Sequence, residues 1–213
     1  MKRLNTFTLK MIAIITMVID HVGHIFFPEE MLFRMIGRLS FPIFAYVLAE
    51  GFTYTRDVKK YMLRLGIFAL LSEIPYDLAI MGSVLEFSHQ NVFFTLFFGV
   101  LMLWLMTRTK NMILQYGTVA AMLLLCEFLN TDYSDIGILM IFIFYLFRER
   151  KIEKLLIVGL IFIALSGGVQ LYAILALPLI ALHNREQGPK MKVFFYLFYP
   201  AHLLILYLVH LIV

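Results

Sequence analysis

Nine apolar blocks, each bounded by a short polar run, divide the 213-residue chain. A helix crosses a bilayer with roughly 17–25 apolar residues. On that scale the blocks predict helices over 8–27, 33–53, 60–80, 91–107, 112–129, 135–148, 153–166, 169–184 and 194–212. The runs between them alternate in charge. Met1 to Lys10, the stretch Arg56-Asp57-Val58-Lys59-Lys60, Arg108 with Lys110, Arg148 to Lys154, and Arg185 with Lys190 and Lys192 are basic. Pro28-Glu29-Glu30 and Asn130 to Asp135 are acidic, the loop near Glu86 is not basic, and Ser166-Gly167-Gly168 is uncharged. Basic loops stay in the cytoplasm, so the N-terminus is expected inside and the C-terminus outside. Only Arg34 and Arg38 then fall on the outer side. One kinked helix over 153–184 would put Arg185, Lys190 and Lys192 outside and break the alternation. The expectation is therefore an all-α, polytopic bundle of about nine transmembrane helices, with 1–213 a single integral-membrane domain lacking an internal repeat.

Composition agrees. The chain is 62% hydrophobic and only 15% charged, with a mean hydropathy of +0.89, well beyond a soluble globular domain. The basic start runs into a full-length span with no small-residue cleavage site, so no removable signal peptide is expected. The net charge of +4 follows from the inner loops and calls for no nucleic-acid partner. Cys126 stands alone, which excludes an intrachain disulfide. Since the loops are too short to fold by themselves, any site must be built from helix faces and helix ends within the bilayer.

Ionisable groups at membrane depth are costly unless paired or hydrated, and they are the candidate chemistry. Asp20, His21 and His24 lie within about one turn of the first helix. At about 100° per residue, His24 stands about 40° and His21 about 100° from Asp20, all on one side. Arg38 comes from the second span. Glu73, Tyr76 and Asp77 share one face of the third, beside Pro75, which removes a backbone donor. His89, Gln90 and Asn91 cap the fourth. These residues stand at a similar, outer level, where Arg38 can neutralise Asp20 or Glu73. A second set is expected nearer the cytoplasm: Glu50, His183 with Asn184, and Tyr199 with His202 around Pro200. No phosphate-binding glycine loop, nucleophile elbow or zinc-protease motif occurs. No Cys or further His stands at ligand spacing near His21 and His24, so no metal is expected.

The chain resembles the TraX family of integral-membrane proteins, associated with N-acetylation of conjugative pilin. The resemblance runs over nearly its whole length. It is carried by 9–21, ending Ile19-Asp20-His21; by Ile36-Gly37-Arg38-Leu39-Ser40-Phe41-Pro42 and Glu50-Gly51-Phe52; by Ser72-Glu73-Ile74-Pro75-Tyr76-Asp77; by Gln90-Asn91-Val92-Phe93; and by Tyr199-Pro200-Ala201-His202. The segment 183–188 departs from the family's tighter turn. The family in turn is similar to transmembrane acyltransferases that take acetyl-CoA from the cytoplasm and acetylate an acceptor on the far side.

That resemblance implies an acetyltransferase of the inner (cytoplasmic) membrane with His21 as the catalytic histidine and Arg38 a buried arginine beside it. Neutral His21 would act as general base. Asp20, adjacent in sequence, points away from His21, so Glu73 is the better orienter and Asp20 is expected to pair with Arg38 or His24. Acetyl-CoA, the expected co-substrate, would meet Lys59, Lys60 or Lys190, with Arg108 and Lys192 as further charges, and pass Glu50, Tyr199 and His202. A peptide, pilin-like or glycan acceptor would meet His24, Tyr76, Asp77, His89 and Asn91. Buried Asp, Glu and His are equally natural in a proton-coupled transporter, and a non-catalytic role in surface-fibre assembly is a third class.

Overall fold

A computed structural model describes residues 4–165 and 167–212, and among these every regular element is helical. Helices α1 (Thr6–Phe26), α2 (Met31–Gly37), α3 (Ser40–Tyr54), α4 (Val58–Tyr76), α5 (Val92–Met106), α6 (Met112–Phe128), α7 (Ser134–Leu146) and α8 (Lys151–Leu165) follow in order. After a 3₁₀ segment, Gly168–Leu175, come α9 (Ala176–Ala181) and α10 (Lys192–His210). Three stretches are long and apolar enough to cross a membrane: Thr6–Phe26, Met31–Tyr54 and Lys192–His210. Large apolar side chains face outward on several helices, among them Ile113, Leu124 and Phe128. Such a surface suits lipid and not water.

Helix α3 is the axis of the molecule. It is buried nearly all round, as a helix apolar on every face must be, and it packs on α1, α5, α7 and α9. Helix α1 packs on α2, α3 and α10, and α4 joins α5 to α10. The start of α1 is tied down by the chain after α9. Glu186 and Gln187 carbonyls accept from the N–H groups of Thr6 (2.8 Å) and Phe7 (3.1 Å), two donors that no helical turn can satisfy. The segment 183–188 is thus a cap for α1.

Three predicted spans are reshaped, each for a local reason. The second breaks at Arg38-Leu39 into α2 and α3. Pro42 has no N–H to offer the Arg38 carbonyl, and its ring crowds that carbonyl. Within the third, α4 passes Pro75 and ends in a π-helical turn, Asp77–Met81. The eighth, expected over 169–184, is a 3₁₀ segment followed by the six-residue α9. Gly168 opens that segment at φ +55°, a left-handed conformation open to glycine. Ser166, on which the kinked-helix alternative partly rested, lies outside the described residues.

Helices α1 and α2 meet closely because two glycines let them. A Cβ at Gly37 would lie 2.2 Å from Asp20 Cβ, and one at Gly23 2.1 Å from Phe33 Cβ. Gly117 on α6, by contrast, faces open space. Gly37→Ala is expected to lower stability by about 1–3 kcal/mol through overpacking. Gly117→Ala should be neutral or raise it by up to about 1 kcal/mol through helix propensity. Thermal unfolding of the two variants in detergent checks the contrast.

Candidate active site

The break after α2 delivers two arginines to one carboxylate. Asp20 is 6% exposed. Its Oδ2 accepts from Arg34 Nη1 at 2.8 Å, and both its oxygens accept from Arg38 Nη2 at 2.8 Å. Arg38 Nη1 also donates to Gln170 Oε1 at 3.1 Å, which pins the 3₁₀ segment to the same point. The guanidinium lies 5.8 Å from the centre of the Tyr133 ring, within cation–π range. Tyr133 stacks on Phe41 with ring centres 3.8 Å apart, and it holds φ +63°. A non-glycine residue is rarely found there, so packing must impose it. Arg38 Nε is buried without a partner.

One residue further along α1, His21 meets α10. Its Nδ1 lies 2.7 Å from Nε2 of His202, with the rings 16° from coplanar. His202 Nδ1 lies 2.9 Å from the Phe198 carbonyl. A carbonyl can only accept, so His202 carries its hydrogen on Nδ1. In the neutral ring Nε2 is then an acceptor, and it takes the hydrogen of His21 Nδ1. His21 is left with a lone pair on Nε2. The two rings form a relay: when His21 Nε2 gains a proton, the Nδ1 hydrogen can pass to His202 and spread the charge over both.

His21 lines a cavity of about 110 Å³ together with Asp20, Arg34, Arg38, Tyr76, Asp132 and Tyr199. A second hollow of about 310 Å³, lined by Pro28, Met31 and Gln170, adjoins it. His24, Arg34 and Arg38 line both, so these three side chains stand at the junction of the second hollow, a vestibule, and the cavity that His21 lines.

The predicted site residues separate into those the fold gathers and those it does not. Asp20, His21, His24, Arg38, Tyr76 and Tyr199 all line the inner cavity. Of the two partners weighed for Arg38, the structure selects Asp20. Glu73, expected to orient His21, instead accepts from the Asn91 side chain, and His202 takes its place. His202 itself was expected in a separate inner set, yet the fold stacks it on His21. Asn91 caps α5, accepting from Phe93 N at 3.1 Å. Asp77 accepts from Glu86 N at 2.9 Å, and Tyr76 OH meets His89 Nδ1 at 3.0 Å. Glu73, Asp77, His89 and Asn91 therefore fasten the 82–91 loop to α4 and lie outside the cavity lining.

Glu50 is buried one turn from Tyr46, whose hydroxyl meets His183 Nδ1 at 2.9 Å. Thr6 reaches the other nitrogen of that ring at 3.1 Å. This cluster stands at the start of α1, about 22 Å along the helix from His21, and neither Glu50 nor His202 lines the inner cavity. Lys59, Lys60 and Lys190 are exposed, and Lys60 pairs with Asp57 at 3.4 Å.

Arg34, Asp132, Tyr133 and Gln170 also belong to the cavity or the clamp and were not singled out from sequence. Arg34 had a signal, since it precedes Arg38 by four residues within an apolar helix. Asp132, Tyr133 and Gln170 had none, being loop or span residues brought in only by packing. Asp132 belongs to the loop between α6 and α7. Its carbonyl accepts from the Thr95 hydroxyl, and its N–H donates to Gln90 O at 2.8 Å. Burial pushes its carboxyl up to about 6, against the pull of Arg38.

That shift sets a pH dependence. A carboxyl whose folded pKa is raised stabilises the fold below its ordinary value near 3.8. The contribution is lost as the unfolded chain ionises first, between there and about 6. Asp132→Asn should remove this slope: between pH 4 and 6 the wild type loses stability relative to the variant, and above that range the gap is constant. Thermal unfolding across the range, in one detergent and at constant salt, measures it.

The comparisons with known proteins bear on the same residues. The chain is 26% identical over 233 aligned residues to the probable fimbrial assembly protein FimC, serogroup H1, of Dichelobacter nodosus, covering 95% of this chain and 94% of that one. A 44-residue stretch is 41% identical to the uncharacterized protein RP591 of Rickettsia prowazekii (strain Madrid E), which amounts to 21% of this chain and 18% of the other. No solved structure matches. A family profile described as TraX protein matches residues 6–210, a stretch that includes both histidines, both arginines and Asp20. The chain belongs to the TraX protein family.

Proposed function

We propose that this protein is an integral-membrane acyltransferase, which moves an acetyl group from cytoplasmic acetyl-CoA to an amine or hydroxyl on the opposite side. The observation that carries the reading is the His21–His202 pair, whose hydrogen-bond order leaves a basic nitrogen on a cavity floored by two arginines. General-base help of this kind contributes typically 10²–10⁴-fold.

In this reading His21 Nε2 takes the proton of the acceptor's N–H or O–H as its lone pair attacks the thioester carbonyl. Arg38 stands where negative charge would build on the carbonyl oxygen, and its buried, unpartnered Nε–H is a donor awaiting such an acceptor. The carbon–sulfur bond then breaks, the thiolate leaves, and His21 returns the proton to it while His202 shares the charge meanwhile. A cavity of about 110 Å³ suits an acetyl group and the tip of an acceptor. The bulk of CoA would lie outside it, towards the basic inner loops that include Lys59, Lys60 and Lys190. The outer vestibule, with His24, is the acceptor's approach.

The topology in this reading has nine crossings of the inner membrane, with the N-terminus in the cytoplasm. Helices α1 and α10 lie parallel, since Phe7 meets Phe195, His21 meets His202 and Phe26 meets His210 in rising order. First and last spans that point the same way support an odd number of crossings. The Dichelobacter relative's name as a fimbrial assembly protein favours a fibre subunit as acceptor.

The test is acetyl transfer by purified protein supplied with radiolabelled acetyl-CoA and pilin-like, peptide or sugar acceptors. His21→Ala should lower the rate by at least about 10²-fold. His202→Ala should lower it less, because Nε2 of His21 survives without its relay partner. Transfer that persists undiminished in His21→Ala would sink the reading.

A further inference from the structure

Helices α1 and α10 share a seam that starts at a pair of lysines and ends at the histidine pair. At its inner end Lys10 Nζ lies 5.0 Å from the centre of the Phe195 ring. Phe7 packs on that ring edge-on at 5.9 Å. Lys192 stands three residues before Phe195, one turn down the same side of α10, so both lysines flank that ring. Among the described residues, neither is within ion-pair distance of a carboxylate. Two lysines about one ring, with no carboxylate in reach, make this end of the seam positive. Helix α10 begins at this point without a side-chain cap, so its first N–H groups add to the positive end.

The seam continues outward in register. Lys10 and His21 are eleven residues apart, which puts them about 20° apart on α1 and separates them by about 16 Å along its axis. Phe195 and His202, seven apart, share a stripe of α10 in the same way. On α10 the rings form a ladder: Phe194 meets Phe198 at 5.5 Å, and Phe198 stacks on His202 at 5.1 Å. Met17, on the Lys10–His21 stripe, lines the inner cavity with Tyr199. The cavity floor is thus about 10 Å of helix from Lys10.

We propose that Lys10 and Lys192 form a phosphate-binding mouth, and that the α1–α10 seam guides the arm of a phosphorylated, extended donor to His21. The ligand chemistry is a phosphate with an aromatic ring beside it and a linear chain behind it. If the protein is the acetyltransferase read above, on which the choice of donor rests, the phosphates are those of CoA. The separation from mouth to histidine is of the scale of an extended pantetheine arm. The same two lysines could hold a phospholipid headgroup, and the experiment separates the sources.

Full-length protein in phosphatidylcholine nanodiscs is titrated with CoA, and its Kd is compared across variants. Lys10→Gln with Lys192→Gln should weaken CoA binding at least tenfold. Lys10→Arg with Lys192→Arg should keep it within about threefold, showing that charge and not folding is at issue. Lys110→Gln, a lysine in the α5–α6 loop, should leave it unchanged, and His21→Ala should bind CoA while failing to transfer. If the double glutamine variant binds CoA as the wild type does, the mouth is overturned while the His21 reading stands. If that variant instead loses only its preference for discs containing phosphatidylglycerol, the lysines serve a lipid headgroup and the proposal falls. If wild type binds no CoA at all, the mouth and the acetyl-CoA reading fall together.

Discussion

The placement of Asp20 between Arg34 and Arg38 is the constraint on which the rest depends. A carboxylate buried among apolar helices must be paired, and this one is paired twice, with Arg38 Nη2 reaching both its oxygens. The pairing needs three backbone conditions at once. Gly37 must lack a Cβ so that Asp20 can lie against α2. Pro42 must break the second span, so that Arg34 and Arg38 end one short helix and do not continue along a straight one. Gln170 must come down on Arg38 from the 3₁₀ segment. Removing one partner from such a cluster leaves a buried charge uncompensated, typically at about 3–5 kcal/mol.

The clamp also decides the chemistry of its neighbour. Asp20 is occupied, so it is unavailable to His21, which turns instead to α10. The partner it finds there is a second imidazole, fixed in one tautomer by the carbonyl of Phe198. A carboxylate partner would hold His21 by charge, whereas His202 holds it by hydrogen bonding alone and leaves the ring neutral until a proton arrives. Separation of structural charge (Asp20 with its arginines) from the titrating pair (His21 with His202) lets one helical turn of α1 carry both.

Loop geometry completes the pocket from the opposite side. The turn before α7 holds Asn130, Tyr133 and Ser134 at positive φ, a cost of order 1–3 kcal/mol for each such residue. Packing against Phe41, Arg38 and Thr95 meets that cost and places Asp132 and Tyr133 on the cavity wall. Residues Glu73, Asp77, His89 and Asn91 do comparable work one layer out. One oxygen each of Glu73 and Asp77 is used in fastening the 82–91 loop, and of the polar face on α4 only Tyr76 opens onto the site.

The helical class, most helix positions and the main candidate could be read from the chain alone. Apolar block length and a buried His or Asp are local quantities, and the cost of charge in hydrocarbon holds whatever the neighbours are. His21, Asp20 and Arg38 emerged on that ground, and α5, α6 and α7 match their blocks within two residues. Partnerships were not legible. His202 and His21 are separated by 181 positions, and hydrophobic periodicity says which face is buried but not which helix covers it. The break at Arg38 follows from Pro42, yet its consequence, two arginines converging on one carboxylate, needs α1 alongside. Tertiary structure alone assigned Glu73 to Asn91, His202 to His21 and Asp132 to the cavity, because pairing depends on distances between helices that a linear pattern does not contain.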